Sequence, residues 1–155
     1  MAKRNKPHTP SEYGYEFSEQ VGHLLRRAYQ RHTSIFQRHA IDKQLTAIQF
    51  VTLCTLVERG SCSLTDIVQA TAIDPATVRG VIKRLKARDW IALSTCERDQ
   101  RKVMVTITKE GEDLVEDMVP AAQRISDLTM ERLNPAERVA LLHLLAKMSG
   151  APEDE

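Results

Sequence analysis

The apolar positions change period once between residues 63 and 108. Val78, Val81, Ile82 and Leu85 recur at i, i+3, i+4 and i+7, the stripe of an amphipathic helix. Asp74-Pro75 stands in front of them as a start signal: aspartate accepts from orphan backbone N–H groups, and proline at the first helical position loses no hydrogen bond. The period then drops to two. Residues 90–95 and 103–108 read as strands, with Val103, Val105 and Ile107 alternating against Lys102, Met104 and Thr106. Between them Cys96-Glu97-Arg98-Asp99-Gln100-Arg101-Lys102 forms a long charged hairpin tip. Ahead of the stripe, Ser63-Leu64-Thr65-Asp66 has capping-box spacing and opens a short helix through Ile67 and Val68 to about Thr71. Two short helices followed by a hairpin make a helix-turn-helix with a β wing.

The flanks are helical. Phe17, Val21, Leu24, Leu25, Ala28, Ile35 and Phe36 fall at helical spacing within residues 11–38, which predicts a helix about 35–40 Å long. That exceeds what a small domain needs for its own core, so part of its apolar face is expected to meet another subunit. Leu45-Thr46 opens a helix that is apolar on most sides, carrying Ile48, Phe50, Val51, Leu53, Leu56 and Val57, and Gly60 ends it as a left-handed cap. Thr108-Lys109-Glu110-Gly111 starts a second long helix, with Leu114, Val115, Met118, Ala122, Ile125 and Leu128 on one face and a kink expected at Pro120. Asn134-Pro135-Ala136-Glu137 caps a last helix, whose apolar set is Val139, Leu141, Leu142, Leu144, Leu145 and Met148. The fold class is therefore mainly α with a small β wing. At 155 residues a single domain is expected. Within it, 1–10 form a flexible arm, 11–45 and 109–148 the helical dimerisation region, and 46–108 the winged helix-turn-helix DNA-binding lobe.

Charge changes the picture more than composition does. A formal net charge of +1 conceals segregation: residues 74–103 hold eight Lys/Arg against four Asp/Glu, residues 1–46 the same numbers, and residues 109–155 five against eleven. Local basic surface is what meets phosphates, and an acidic remainder limits non-specific adhesion. Cys54, Cys62 and Cys96 lack CxxC spacing and suggest a reducing compartment. With no apolar run near 18 residues and no signal peptide, a soluble cytoplasmic protein without membrane contact is expected.

A helix that reads DNA leaves its first turns free of bulky core contacts. Those turns carry Pro75, Ala76, Thr77, Arg79 and Gly80. Arg79 can bind guanine O6 and N7 as a fork, and Ala76 or the Thr77 methyl can meet a thymine methyl. Gly80 costs roughly 1 kcal/mol relative to alanine in a helix, which close approach to DNA would explain. Lys83, Arg84 and Lys86 are placed for phosphates. At the wing tip, Arg101 can enter a narrow minor groove, beside Arg98 and Gln100. Asp99 would repel phosphate, so its expected role is to pair with Arg101 or Arg98 and fix the loop.

With these elements in this order, the chain resembles the MarR family of bacterial regulators over about residues 15–148. The resemblance rests on the Asp74-Pro75-Ala76-Thr77-Val78 helix start, the Leu85-x-x-Arg88-Asp89-Trp90-Ile91 strand entry, the Asp99-Gln100-Arg101 wing and Val105-Thr106-Ile107-Thr108-Lys109-Glu110-Gly111. The commonest family wing reads Asp-Arg-Arg; Gln100 departs from it and weakens one phosphate contact. The resemblance implies a homodimer intertwined through the first and last two helices, binding a palindromic operator as a repressor. A small, often aromatic acid would relieve that repression, and the chain is similar as a whole to regulators of aromatic or pyridine-carboxylate breakdown of the nicotinate type.

In such proteins the effector sits between the dimer helices and the DNA-binding lobe. Candidate residues here are Tyr15, His23, Arg26 and Arg27 from the first helix, and Ala47, Phe50, Val51 and Cys54 from the second. Arg27 is the chosen carboxylate partner, because a guanidinium can hold both oxygens; solvated or interface arginines are the competing reading. His32 and His39 share a helix face but lack ligand spacing with the other histidines or the cysteines, so no metal and no cofactor are expected. The chain shows no phosphate-binding glycine loop, no Ser-His-Asp set and no paired acids, and is read as a non-enzyme. Two further alternatives remain open: a thiol sensor acting through Cys96 or Cys54, and a DNA-bridging protein without effector.

Overall fold

The computed structural model describes residues 9–150, so the arm expected at 1–10 and the acidic tail fall largely outside the described residues. Two short 3₁₀ turns, Pro10–Tyr13 and Phe17–Glu19, lead into six helices and three strands: α1 Val21–His39, α2 Ala47–Arg59, β1 Cys62–Ser63, α3 Leu64–Thr71, α4 Pro75–Ala87, β2 Ile91–Thr95, β3 Val103–Ile107, α5 Lys109–Thr129 and α6 Pro135–Met148.

The first helix starts at Val21 and not at residue 11. Gly14 adopts φ 70° and ψ 22° and closes the first turn with its N–H on the Pro10 and Ser11 carbonyls. Gln20 is extended at φ −73° and ψ 136°, and caps α1. Nineteen residues at about 1.5 Å each give a helix near 28 Å, shorter than the apolar spacing alone implied.

The local signals for the lobe operate through real hydrogen bonds. Thr46 Oγ1 accepts from the Gln49 N–H at 3.3 Å while Gln49 Oε1 accepts from the Thr46 N–H at 2.9 Å, a reciprocal capping box. Gly60 has positive φ as expected, but its ψ of −140° lies outside the left-handed helical basin, because the chain leaves α2 directly for β1. Ser63 and Asp66 form the second box. A third strand joins the wing hairpin: β1 pairs antiparallel with β3, Cys62 opposite Val105, to give the order β1-β3-β2. Two residues are too short a run to display alternation, so the pattern of the chain does not reveal it.

Most of the core lies in the lobe, and α5 adds Met118 and Ile125, each no more than 1% exposed. Leu53 and Leu56 of α2, Ile67 of α3, Val78, Val81 and Leu85 of α4 and Val105 of β3 are each no more than 2% exposed. Full burial of such side chains stabilises by about 1.5–3 kcal/mol apiece. Trp90 at the root of β2 is 8% exposed, and its carbonyl accepts from the Thr108 N–H at 3.0 Å. A Cβ on Gly111 would stand 2.2 Å from that carbonyl oxygen, so glycine is what lets α5 start directly against the wing root. Helix α5 continues unbroken through Pro120.

The helical end is different. Ile35 and Phe36 are the buried residues of α1, and α6 has none. Helices α1 and α5 are joined by Arg31, whose Nη2 donates to the Leu128 carbonyl at 3.0 Å and to Glu131 Oε1 at 2.7 Å, and by His32 and Thr129.

Candidate nucleic-acid interface and effector region

Helix α4 is held at its start by Asp74, whose Oδ1 accepts from the Thr77 N–H at 2.9 Å. The Thr77 side-chain and backbone hydrogen bonds keep the Asp74 carboxyl below its ordinary range, so it caps as an anion at neutral pH. Burial of Val78, Val81, Ile82 and Leu85 then fixes the rotation of the helix about its axis. Pro75, Ala76, Arg79, Lys83, Arg84 and Lys86 are exposed as a consequence, with Thr77 and Gly80 half-buried.

A Cβ added to Gly80 would meet nothing within 4 Å, and its backbone is not in the positive-φ region. The chain's own packing therefore gives no reason for a glycine there. Arg79 borders a shallow groove of about 240 Å³ with Leu64, Thr65, Val68, Pro75 and Val78. Thr65, exposed on the first turn of α3, is a neighbour that the recognition-helix pattern does not disclose; the capping box that exposes that turn is the signal that could have found it.

The wing is a regular hairpin, from Ile91 opposite Ile107 to Thr95 opposite Val103. Its tip is closed by the Cys96 N–H on the Lys102 carbonyl and the Lys102 N–H on the Asp99 carbonyl, both 2.9 Å. Asp99 does fasten the loop, but through backbone: its Oδ1 accepts from the Arg101 N–H at 3.0 Å. Among the described residues Asp99 makes no ion pair with Arg98 or Arg101, which corrects the expected side-chain pairing. The short two-residue reach favours the main-chain N–H over a long guanidinium, and leaves both arginines directed outward with Gln100. A hydrogen bond between Thr106 Oγ1 and Ser61 Oγ, 3.1 Å, ties the wing to the start of β1.

Of the expected effector residues, His23 and Arg27 lie on α1 and Phe50 and Cys54 on α2, whereas Tyr15, expected on the first helix, falls in the link between the two 3₁₀ turns because α1 begins only at Val21. His23 packs edge-on against Phe17, ring centroids 5.2 Å apart, and Phe50 packs against Phe36 at 6.0 Å. Tyr15 and Arg27 are exposed. These contacts do not close the five residues into one cavity within a single chain. Cys54 is half-buried, and burial, followed by the charge of Glu58, pushes its thiol up. That is the opposite of what a reactive thiol requires. Among the described residues no three His, Cys, Asp or Glu side chains are grouped to hold a metal ion, and no helix is long and apolar enough to cross a membrane.

The helical end instead presents an apolar cleft of about 550 Å³. Val21, Leu24, Leu25, Ala28, Tyr29 and His32 of α1 face Leu141, Leu144, Leu145 and Met148 of α6 across it, with Thr129 at its edge. Leu24, Leu144 and Met148 are 48%, 55% and 59% exposed. Continuous apolar surface of this kind marks an association face.

Comparison with known proteins agrees with the geometry. The MarR family model matches residues 45–103. The chain is 50% identical over 156 residues to the HTH-type transcriptional repressor NicR of Pseudomonas putida, covering 99% of both proteins. A solved structure of Bordetella bronchiseptica BpsR, whose DNA binding is regulated by 6-hydroxynicotinic acid, is 62% identical with a TM-score of 0.82, over 88% of this chain and 98% of that one. A mutant MarR from E. coli complexed with operator DNA shares the fold at 20% identity and a TM-score of 0.76, over 86% and 99% of the two chains.

Proposed function

This chain belongs to the MarR family, and on that premise we propose that it is a homodimeric repressor that binds a palindromic operator and is released by a hydroxylated pyridine carboxylate. The observation that carries the reading is the exposed Pro75-to-Lys86 face of α4, set beside an outward-facing Arg98-Gln100-Arg101 wing on a rigid lobe. Arg79 reads bases, Lys83 and Arg84 neutralise phosphates, Gly80 allows close approach, and Arg101 enters the minor groove. On this reading residues 46–108 serve DNA binding, and 11–45 and 109–148 serve dimerisation.

The effector class follows from the relatives, since BpsR responds to 6-hydroxynicotinic acid. Its site is the seam between dimer helices and lobe. Arg27 takes the carboxylate, and Tyr15, His23, Phe50 and Cys54 supply walls and polar contacts, with the second copy closing what one chain leaves open. A ligand can act only through unequal affinity for two states. The ligand-bound state holds the two recognition helices at a spacing that mismatches successive major grooves, about 34 Å apart.

Fluorescence anisotropy on a duplex selected from a random pool tests this, with and without 6-hydroxynicotinate, nicotinate or benzoate. Selective binding that 6-hydroxynicotinate weakens is expected. Equal affinity for selected and random duplex would refute the operator reading. An affinity indifferent to all three acids would refute the effector reading alone.

A further inference from the structure

One arginine of the DNA-facing segment is held at the surface by its own chain. Among the described residues Arg79, Arg84, Arg98 and Arg101 hold no ion pair, whereas Arg88 is paired with its own chain through both terminal nitrogens. Arg88 caps the C-terminus of α4, and its guanidinium carbon lies 4.1 Å from the centroid of the Trp90 ring. One arm, Nη1, donates to Gln44 Oε1 at 2.9 Å; the other, Nη2, forms an ion pair with Asp42 Oδ2. Asp42 is itself oriented, because its Oδ1 accepts from the Gln44 N–H at 2.7 Å. Burial alone would raise the Asp42 carboxyl, but the hydrogen bonds from Arg88 and Gln44 outweigh it and hold the group below its ordinary range.

The two ends of this contact belong to different parts of the machine. Asp42 and Gln44 lie on the connection between α1, whose apolar face the dimer needs, and α2. Arg88 closes the recognition helix and stacks on Trp90, from which β2 and the wing depart. Fork, stack and capped carboxylate together make a rigid strut, because a planar guanidinium shared between two acceptors and an aromatic face has little freedom left.

We propose that Arg88 is a positioning residue for operator binding: it hitches the C-terminal end of α4 to the α1–α2 connection, so that it sets the attitude of the recognition helix relative to the dimer without touching DNA. This rests on the operator reading above. It makes a counterintuitive demand. Removing an acidic residue near DNA normally strengthens binding, yet loss of Asp42 must weaken it as loss of Arg88 does.

The test measures operator affinity of the full-length protein on the wild-type-selected duplex across a salt series, for Arg88→Met, Asp42→Asn and the double variant. Arg88→Met keeps a stem to lie on Trp90, and Asp42→Asn is nearly isosteric, so at least one should fold. The expected result is a loss of about three- to tenfold in each single variant, no further loss in the double, and an unchanged salt slope, since residues in one network are not additive. If Arg88→Met alone weakens binding and the slope falls by about 0.9, Arg88 is a phosphate ligand and the proposal is overturned. Unchanged affinity alongside a lowered melting temperature in both single variants overturns it too, leaving a merely structural contact. Failure of the wild type to select any sequence would remove the operator reading and this inference together.

Discussion

The lobe from α2 to β3 and the helical end built by α1 and α6 are equally apolar in sequence, yet they treat that content in opposite ways. In the lobe Leu53, Leu56 and Ile67 are fully buried by their own chain. In the helical end Leu142 and Leu144 remain more than half exposed, and α6 buries nothing although six of its residues are Val, Leu or Met. The lobe is a finished object; the helical end is half of one. Reading and regulation can therefore be divided: the reader is specified within one chain, and whether two readers reach DNA together is decided by surface that one chain cannot satisfy.

The largest effect should come from breaking the unfinished half. Leu144→Asp places a charge in the apolar cleft, should turn the protein into a monomer by sedimentation, and should lower operator affinity by about 10²–10⁴-fold as bivalency is lost. The lobe should stay folded. The converse change, Leu53→Ala, should lower stability by about 2–5 kcal/mol in thermal or urea denaturation. If Leu144→Asp remained dimeric, the contrast between the regions would collapse.

Within the lobe, two neighbours on α4 should separate base reading from phosphate contact. Arg79→Ala should cost about 1–3 kcal/mol on the selected duplex and leave random duplex nearly unaffected. Lys83→Ala should weaken both alike and reduce the salt slope by about one contact. Competition titrations check both, and equal loss on the two duplexes for Arg79→Ala would end its role as a base reader.

What could be read from the chain alone follows the same division. The Asp74 cap, the Ser63–Asp66 box and the Val78 stripe were legible because the caps are decided within four residues and the stripe within eight. The start of α1 was not, since Gly14 and Gln20 change the backbone while leaving the apolar spacing intact. Arg88 was hidden because its partners lie 44 and 46 residues away. The five residues proposed for the effector remain unjoined within one chain for a similar reason: Tyr15, His23 and Arg27 precede Phe50 and Cys54 by more than twenty residues, and no local pattern links the two groups.

The smallest effect is one of pH, and it distinguishes the regions by where each begins to fail. Burial lowers the His32 pKa from its ordinary 6.5. The Thr129 hydroxyl spends its one proton on the Ile125 carbonyl at 2.8 Å, so His32 Nδ1, 3.1 Å away, must be the donor and Nε2 the atom that titrates. Protonation therefore adds charge to a side chain lining the apolar cleft, beside Tyr29 and next to an Arg31 already committed to Glu131. The sign is fixed by linkage: the unfolded chain binds the proton first, so the stability that neutral His32 confers is present above pH 6.5 and is lost as pH falls through and below that value. In the lobe the lowered groups are the caps Asp66 and Asp74, whose contribution is present above about pH 3.8 and disappears only as pH falls through their folded values. Between pH 7.5 and 5.5 the helical end should thus weaken while the lobe does not. Thermal denaturation across that window should show stability falling toward the acid end, with His32→Gln removing the trend. A trend that survived His32→Gln would place the titrating group elsewhere.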